Sequence, residues 1–191
     1  MLSCLFYILT GILACTSIHC DGAESICNSA HNPALPDSGL QVAYYHLTVA
    51  LDLDRKTIRG SNRIVGYGKS NTDMFLDLAP NLNVDSICRS KYGILKYSRD
   101  SKGRMALNIE EELTNQDTLT IYYHGSPRKA IKAPWDGGFV WTQDAGGKPW
   151  VGVACQGIGA SVWWPLRDDL HAEPDSMRIS IRIPNKLMAV S

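Results

Sequence analysis

The sequence has no excess of charge of either sign. Its 191 residues contain 19 Lys and Arg against 19 Asp and Glu, and neither sign forms a long run. No aromatic and basic residues interleave in a pattern that predicts base stacking. Proteins that bind nucleic acid normally carry a basic patch or stripe, so this balance argues against a nucleic-acid partner.

The sequence also lacks the short motifs that carry catalysis. No two histidines lie four residues apart with a glutamate between them, the spacing that brings two imidazoles to one zinc ion. His171 is followed closely by Pro174, which would end a helix at that point. A Gly-x-Ser-x-Gly elbow, a phosphate loop and a dinucleotide fingerprint are absent. We therefore expect no catalytic residue and no metal ligand in this chain.

One cluster of carboxylates offers an alternative to that expectation. Oxygen ligands for Ca²⁺ could come from Asp168, Asp169, Glu173 and Asp175. A solvated acidic loop is the interpretation that we prefer.

The six cysteines form no Cys-x-x-Cys pair, and no histidine lies at zinc-site spacing from them. In an exported protein, Cys27, Cys88 and Cys155 could pair in some combination. Free buried thiols are the equal alternative for Cys88 and Cys155.

Residues 1–20 carry no Lys, Arg, Asp or Glu. Their apolar run, Leu5 to Ala14, has the length of a signal peptide and is short for a membrane span. The segment Ile12 to Cys15 resembles a bacterial lipobox, which would place a lipid anchor on Cys15. Plain secretion, with cleavage between Ala14 and Cys20, is the alternative, and an uncleaved anchor is a third. We expect export to the periplasm or the extracellular space, with residues 21–40 as a linker.

The rest of the chain shows the two-residue alternation of β-strands and no helical period. Leu47, Val49, Leu51 and Leu53 alternate with other residues, and the segment Met177 to Ile183 repeats the pattern. Three hairpins are predicted, joining 46–54 to 58–67, 93–98 to 105–109, and 139–141 to 150–153. Short strands separated by polar turns predict an all-β fold, a single antiparallel sandwich or curled sheet over residues 41–191.

All five tryptophans lie between Gly125 and Pro174. Within this region, the stretch from Val151 to Pro165 combines three glycines, Gln156, and the adjacent Trp163 and Trp164. Glycine lets a ligand approach the backbone closely, and tryptophan supplies a large rigid surface. The stretch is either the wall of a binding cleft or a glycine-kinked crossing of a sheet whose tryptophans are core.

Several motifs of this region together resemble a known family. They are 134–139 (Pro-Trp-Asp-Gly-Gly-Phe), 155–160 (Cys-Gln-Gly-Ile-Gly-Ala) and Trp163-Trp164-Pro165, followed by Asp168 and Glu173-Pro174-Asp175. Tyr44 to Leu47 and Ile58 to Gly60 fit as well. From about Val42 onward the chain resembles the N-terminal domain of aminopeptidase N-type zinc metallopeptidases, in the version of exported bacterial enzymes.

The resemblance implies a saddle-like, mostly antiparallel sheet domain that packs on a thermolysin-like catalytic domain. It also implies that the loop of Ala154, Gln156 and Gly157 enters the active-site cleft, where Gln156 binds the free α-amino group of a peptide. The family's zinc-binding motif and Gly-x-Met-Glu-Asn motif are missing from this sequence. Zinc is therefore expected only in the full-length enzyme, and this chain alone is expected to be inactive.

Two other hypotheses remain from the sequence. The chain could be a stand-alone β-sandwich module that binds peptide or carbohydrate on its tryptophan-rich surface. It could also be a degenerate fragment that folds poorly because an interface to a missing domain is exposed.

Overall fold

The computed structural model describes residues 39–69, 73–114, 117–133, 135–169, 172–185 and 187–190. The predicted signal or lipoprotein segment, nearly all of the linker, the N-terminal cysteines and His171 lie outside these residues. Within them, no helix is long and apolar enough to cross a membrane.

Apart from one short 3-10 helix, the regular secondary structure of the described residues is all β-strand, which confirms the all-β prediction. The strands are β1 (Leu40–Asp52), β2 (Thr57–Gly68), β3 (Met74–Asp77), β4 (Leu82–Arg89), β5 (Gly93–Ile94), β6 (Tyr97–Arg99), β7 (Arg104–Leu107), β8 (Thr118–Gly125), β9 (Gly138–Gln143), β10 (Pro149–Ala154) and β11 (Ser176–Arg182). They form a six-stranded sheet in the order β11-β1-β2-β8-β4-β5, a three-stranded sheet β3-β7-β6 and a two-stranded sheet β10-β9.

The alternating pattern correctly places the central strands of the large sheet. Leu47 and Val49 of β1 and all of Leu119, Ile121 and Tyr123 of β8 are at most 1% exposed. The predicted first and third hairpins are present as β1–β2 and β9–β10. Apolar side chains on one face of each strand thus build the core that the three sheets share.

The second predicted hairpin is correct only in part, and the predicted direction of the last strand is wrong. Tyr97 and Ser98 pair with β7 across the predicted turn, whereas the start of the same arm forms β5, which pairs with β4 in the large sheet. The final strand β11 lies parallel to its neighbour β1, not antiparallel. A parallel pair needs a long crossover in place of a tight turn. Residues 53–175, which separate β1 from β11 in the chain, provide it.

A glycine in β2 marks a close approach between this strand and the core. A Cβ added at Gly60 would lie 2.7 Å from the carbonyl oxygen of Thr48 and 2.8 Å from the Tyr123 hydroxyl. The absence of a side chain at Gly60 therefore lets the backbone of β1 and the Tyr123 ring approach this strand closely. Burial raises the pKa of the Tyr123 phenol, so this ring acts as core and does not ionise.

We expect Gly60→Ala to lower the free energy of unfolding by about 1–3 kcal/mol, because the added methyl group overpacks this contact. Ser61→Ala, one residue along on the opposite face, should change it by less than about 0.5 kcal/mol. Urea unfolding of both variants followed by tryptophan fluorescence measures the difference, and equal midpoints would contradict the contact.

Candidate functional site

The residues predicted to bind substrate lie in a tight turn at the end of β10. The strand ends at Ala154, and the Ile158 N–H donates to the Cys155 carbonyl at 3.2 Å. Gly157, the third residue of the turn, has a φ of 75°, the positive angle that a type II turn requires at that position. Gln156 and Gly157 are exposed at its tip. The Gln156 carboxamide makes no hydrogen bond to another described residue, so its oxygen and NH₂ group face solvent.

The turn is held on both sides. Ala154 pairs with Gly138 in the β9–β10 hairpin, and the Gly159 N–H donates to the Cys155 carbonyl at 3.0 Å. A short 3-10 helix, Ala160–Val162, follows directly. The Asp168 carboxylate accepts a hydrogen bond from the Ser161 N–H at 3.0 Å and so fixes the start of this helix. Gln156 therefore stands on a rigid support although it is itself exposed.

The arrangement of the acidic residues gives the calcium alternative no support. Asp168 is bonded to the backbone of Ser161, and Asp169 is paired with Arg167 at 2.5 Å. Across the described residues, no three His, Cys, Asp or Glu side chains lie close enough to share a metal ion.

The two adjacent tryptophans are core residues, so the interpretation of Trp163 and Trp164 as a cleft wall is wrong. They are only 8% and 6% exposed. A continuous series of ring contacts runs from the hairpin to the large sheet: Trp141 on Phe139 at 5.3 Å, Phe139 to Trp163 at 6.2 Å, Trp163 to Trp164 at 6.3 Å, and Trp164 to Tyr45 at 5.1 Å. This series of rings connects the β9–β10 hairpin, which ends at the turn, to the large sheet.

Hydrogen bonds fix the same segment to the sheets. Asn62 of β2 donates to the Pro165 carbonyl at 2.7 Å, and the backbones of Leu166 and Asp77 exchange two hydrogen bonds. The Tyr45 hydroxyl accepts from the Arg167 N–H at 3.1 Å. Burial, partly offset by this bond, raises the pKa of Tyr45 to about 12. Tyr45 thus remains neutral at physiological pH and serves as an anchor.

The cysteines in the described part of the chain are free. Cys88 and Cys155 form no disulfide, and Cys27 lies outside the described residues. Burial raises the pKa of the Cys155 thiol to about 11, and a hydrogen bond with the Trp163 side chain offsets only part of this. Because the thiolate is the reactive form, Cys155 is a packing residue and not a nucleophile.

A second loop, which carries Trp135 and Asp136 of the motif that resembles the aminopeptidase family, lies beside the turn. Ile131 and Trp135 are 85% and 77% exposed, and the Asp136 carboxylate accepts from the Ile131 N–H at 2.6 Å. A Cβ added at Gly137 would lie 2.3 Å from Cδ1 of Ile158, so this loop packs directly against the turn. The apolar residues Ile131 and Trp135, four positions apart, were the available signal in the sequence.

An apolar cavity of about 210 Å³ occurs at the opposite end of β10. Leu51, Leu53, Trp150, Ile181 and Ile183 contribute to its lining. It is thus distinct from the turn that carries Gln156. β11, which lines it, is an edge strand whose apolar face is more exposed than the sequence predicts, with Met177 38% exposed.

The two glycines of the turn provide a matched test of its rigidity. Their φ values are 75° at Gly157 and 78° at Gly159, but a Cβ would meet nothing within 4 Å at Gly157 and would lie 2.0 Å from Asp168 Oδ2 at Gly159. We expect Gly157→Ala to cost about 1–2 kcal/mol of unfolding free energy from backbone strain alone. Gly159→Ala should cost at least about 1 kcal/mol more, because it also displaces Asp168. Equal losses in urea unfolding would show that Asp168 does not hold the turn.

No protein-family model matches the sequence, and no curated protein matches it either. Solved structures do match the fold. Leukotriene A4 hydrolase from Saccharomyces cerevisiae has a TM-score of 0.59 at 17% identity over 81% of this chain and 26% of that one. The yeast enzyme in complex with bestatin has a TM-score of 0.59 at 18% identity, over 87% and 26% of the two chains.

An M1 zinc metallopeptidase from Deinococcus radiodurans matches with a TM-score of 0.52 at 14% identity, over 80% of this chain and 34% of that one. The chain therefore spans between about a quarter and a third of the length of these enzymes. This share corresponds to one domain of a larger protein and agrees with the expected resemblance. The chain has the fold of a β domain shared by leukotriene A4 hydrolase and the M1 zinc metallopeptidases.

Proposed function

We propose that this chain is the N-terminal substrate-recognition domain of a zinc-dependent aminopeptidase, an enzyme that removes N-terminal residues from peptides. One observation carries the proposal. Gln156, whose side chain makes no hydrogen bond to another described residue, stands at the tip of a rigid turn in a fold shared with M1 zinc metallopeptidases. The series of aromatic rings behind the turn and the hydrogen bonds of the Cys155 carbonyl and the Asp168 carboxylate hold the turn in place. They support a role that requires fixed geometry.

The chemistry of the turn suits the amino end of a peptide. An α-ammonium group has three donors and needs acceptor oxygens around it. The Gln156 carbonyl would supply one neutral acceptor, and the carboxylates that complete the site would come from another domain. Gly157 leaves open space beside the backbone, so a peptide could pass close to Ala154 and Gly157.

The described residues do not fit a zinc site, since no three potential ligands converge. Zinc and the general base therefore belong, in this proposal, to a catalytic domain that acts as the partner of this one. Exposed Ile131 and Trp135, next to the turn, supply apolar surface on which that domain could pack. Export, with or without a lipid on Cys15, remains part of the proposal.

The stand-alone binding module is the weaker candidate. It requires tryptophans on the surface, and Trp163 and Trp164 are in the core while Trp135 is 77% exposed. Trp135 is the one exposed tryptophan of the five, and a single exposed tryptophan does not form the tryptophan-rich surface that this candidate requires.

Binding of a free amino terminus tests the role of Gln156. We expect a tripeptide amide with a free amine to shift NMR signals of residues 154–159, with a dissociation constant of about 1 mM or weaker, since only part of the site is present. The N-acetylated peptide and the Gln156→Ala variant should show no such shifts. A peptide α-amino group has a pKa of about 8. Below that pH the amine is charged and the peptide should bind with its full affinity, and above it the binding should be lost. Equal shifts with the acetylated peptide would contradict the role.

We also expect no hydrolysis of an aminoacyl-nitroanilide by the purified chain with added zinc. The control is a complete M1 zinc metallopeptidase under the same conditions. Turnover that co-purifies with this chain and is abolished by a chelator would overturn the expectation that catalysis lies in another domain.

A further inference from the structure

The outer face of the large sheet carries a regular array of basic and hydroxyl side chains. The register of the strands determines the positions in this array. His46 of β1 lies between Arg178 of β11 and Arg63 of β2. Four residues further along β1, Ala50 lies between Arg182 and Arg59. From strand dimensions, the four arginines mark the corners of a rectangle of roughly 13 by 10 Å.

These arginines are available to a ligand. All four are exposed, and none makes an ion pair or hydrogen bond with another described residue. The acidic residues at the sheet positions of this face already have partners. Asp85 Oδ1 lies 2.7 Å from His124 Nδ1, and Asp52 accepts from the Arg55 N–H at 2.9 Å. The face is therefore locally basic although the chain as a whole is neutral.

Hydroxyl groups form a row between the arginines and beyond them. Register places five in line across five strands: Ser180, Thr48, Ser61, Tyr122 and Ser86. Four interstrand steps give the row a length of roughly 19 Å. Tyr122 is 46% exposed and offers its ring as well as its hydroxyl. His46 Nε2 lies 3.2 Å from Ser180 Oγ and orients the end of the row.

We propose that this face binds a linear anionic polysaccharide that lies across the strands. Guanidinium groups pair with sulfate or carboxylate groups, and each hydroxyl can both donate to and accept from a sugar hydroxyl. The exposed Tyr122 ring presents an apolar surface to a sugar ring. A fully charged chain such as polyphosphate would use only the donor half of each hydroxyl, since phosphate oxygens accept hydrogen bonds and cannot donate them, whereas sugar hydroxyls use both. The inference does not depend on the proposed role of Gln156.

Fluorescein-labelled dextran sulfate and the full-length chain test the proposal by fluorescence anisotropy at low salt. We expect saturable binding that neutral dextran does not compete away and that weakens steeply with added salt. The variant with Arg59→Gln and Arg63→Gln should bind about tenfold more weakly. The matched control, Lys102→Gln with Lys132→Gln, removes the same charge from exposed positions elsewhere and should stay within about twofold of the wild type.

A second pair of measurements tests the hydroxyl row. Thr48→Val with Ser61→Ala removes two hydroxyls without a change of charge, and we expect about threefold weaker binding of dextran sulfate. Binding of inorganic polyphosphate should be weakened less by the same variant, because it loses only hydrogen bonds that the hydroxyls donate. Circular dichroism and the thermal midpoint verify folding of each variant. If the β2 double variant does not fold, Arg178→Gln with Arg182→Gln, on the edge strand, replaces it.

Three results would overturn the proposal. The first is absence of binding to dextran sulfate at low salt. The second is equal weakening of dextran sulfate binding by the β2 arginine variant and by the lysine control. That result would show that binding depends on net charge and not on the position of the arginines. The third is binding of polyphosphate, duplex DNA or anionic vesicles as tight as that of dextran sulfate, with no effect of the hydroxyl variant.

Discussion

The packing of Trp163 and Trp164 against the large sheet is the interaction on which the candidate site depends. The hydrogen bond that closes the turn is worth only about 1 kcal/mol by itself, too little to hold an exposed Gln156 in one place. Each of the four ring contacts in the series that leads from Trp141 to Tyr45 adds about 0.5–1.5 kcal/mol of stability beyond the area that it buries. The site is rigid because its support lies in the core, and for the same reason the tryptophans cannot form a cleft wall.

Much of the fold could be predicted because it follows from local alternation. The side chains of β1 and β8 reveal which face is buried, and the polar turn after β1 reveals the hairpin. The path of the segment 93–98 between two sheets and the parallel placement of β11 depend on contacts distant in sequence. The same limit applies to Trp163. A large aromatic beside glycines fits a core or a surface equally well until its neighbours Phe139 and Trp164 are known.

The charge balance of the sequence also gave an incomplete expectation. Nineteen charges of each sign predict no basic surface, yet four unpaired arginines lie together on one sheet face. Arg63 and Arg178 are distant in sequence and come to lie on either side of His46 only because β1 pairs with β2 on one side and with β11 on the other. Composition reports the sum of charges, whereas the surface potential depends on strand register.

Both surfaces depend on the register of β1. Its inward residue Tyr45 holds Trp164 and the backbone of Arg167, while its outward residues His46 and Ala50 lie between the arginines. Leu40 and Tyr45 are both buried although they are five positions apart, an odd offset that regular alternation would place on opposite faces. The bulge between Val42 and Tyr44 supplies the extra residue that restores the phase. Because successive side chains point to opposite faces, the turn and the arginine array can be changed independently. A register slip of β1 would disturb both at once.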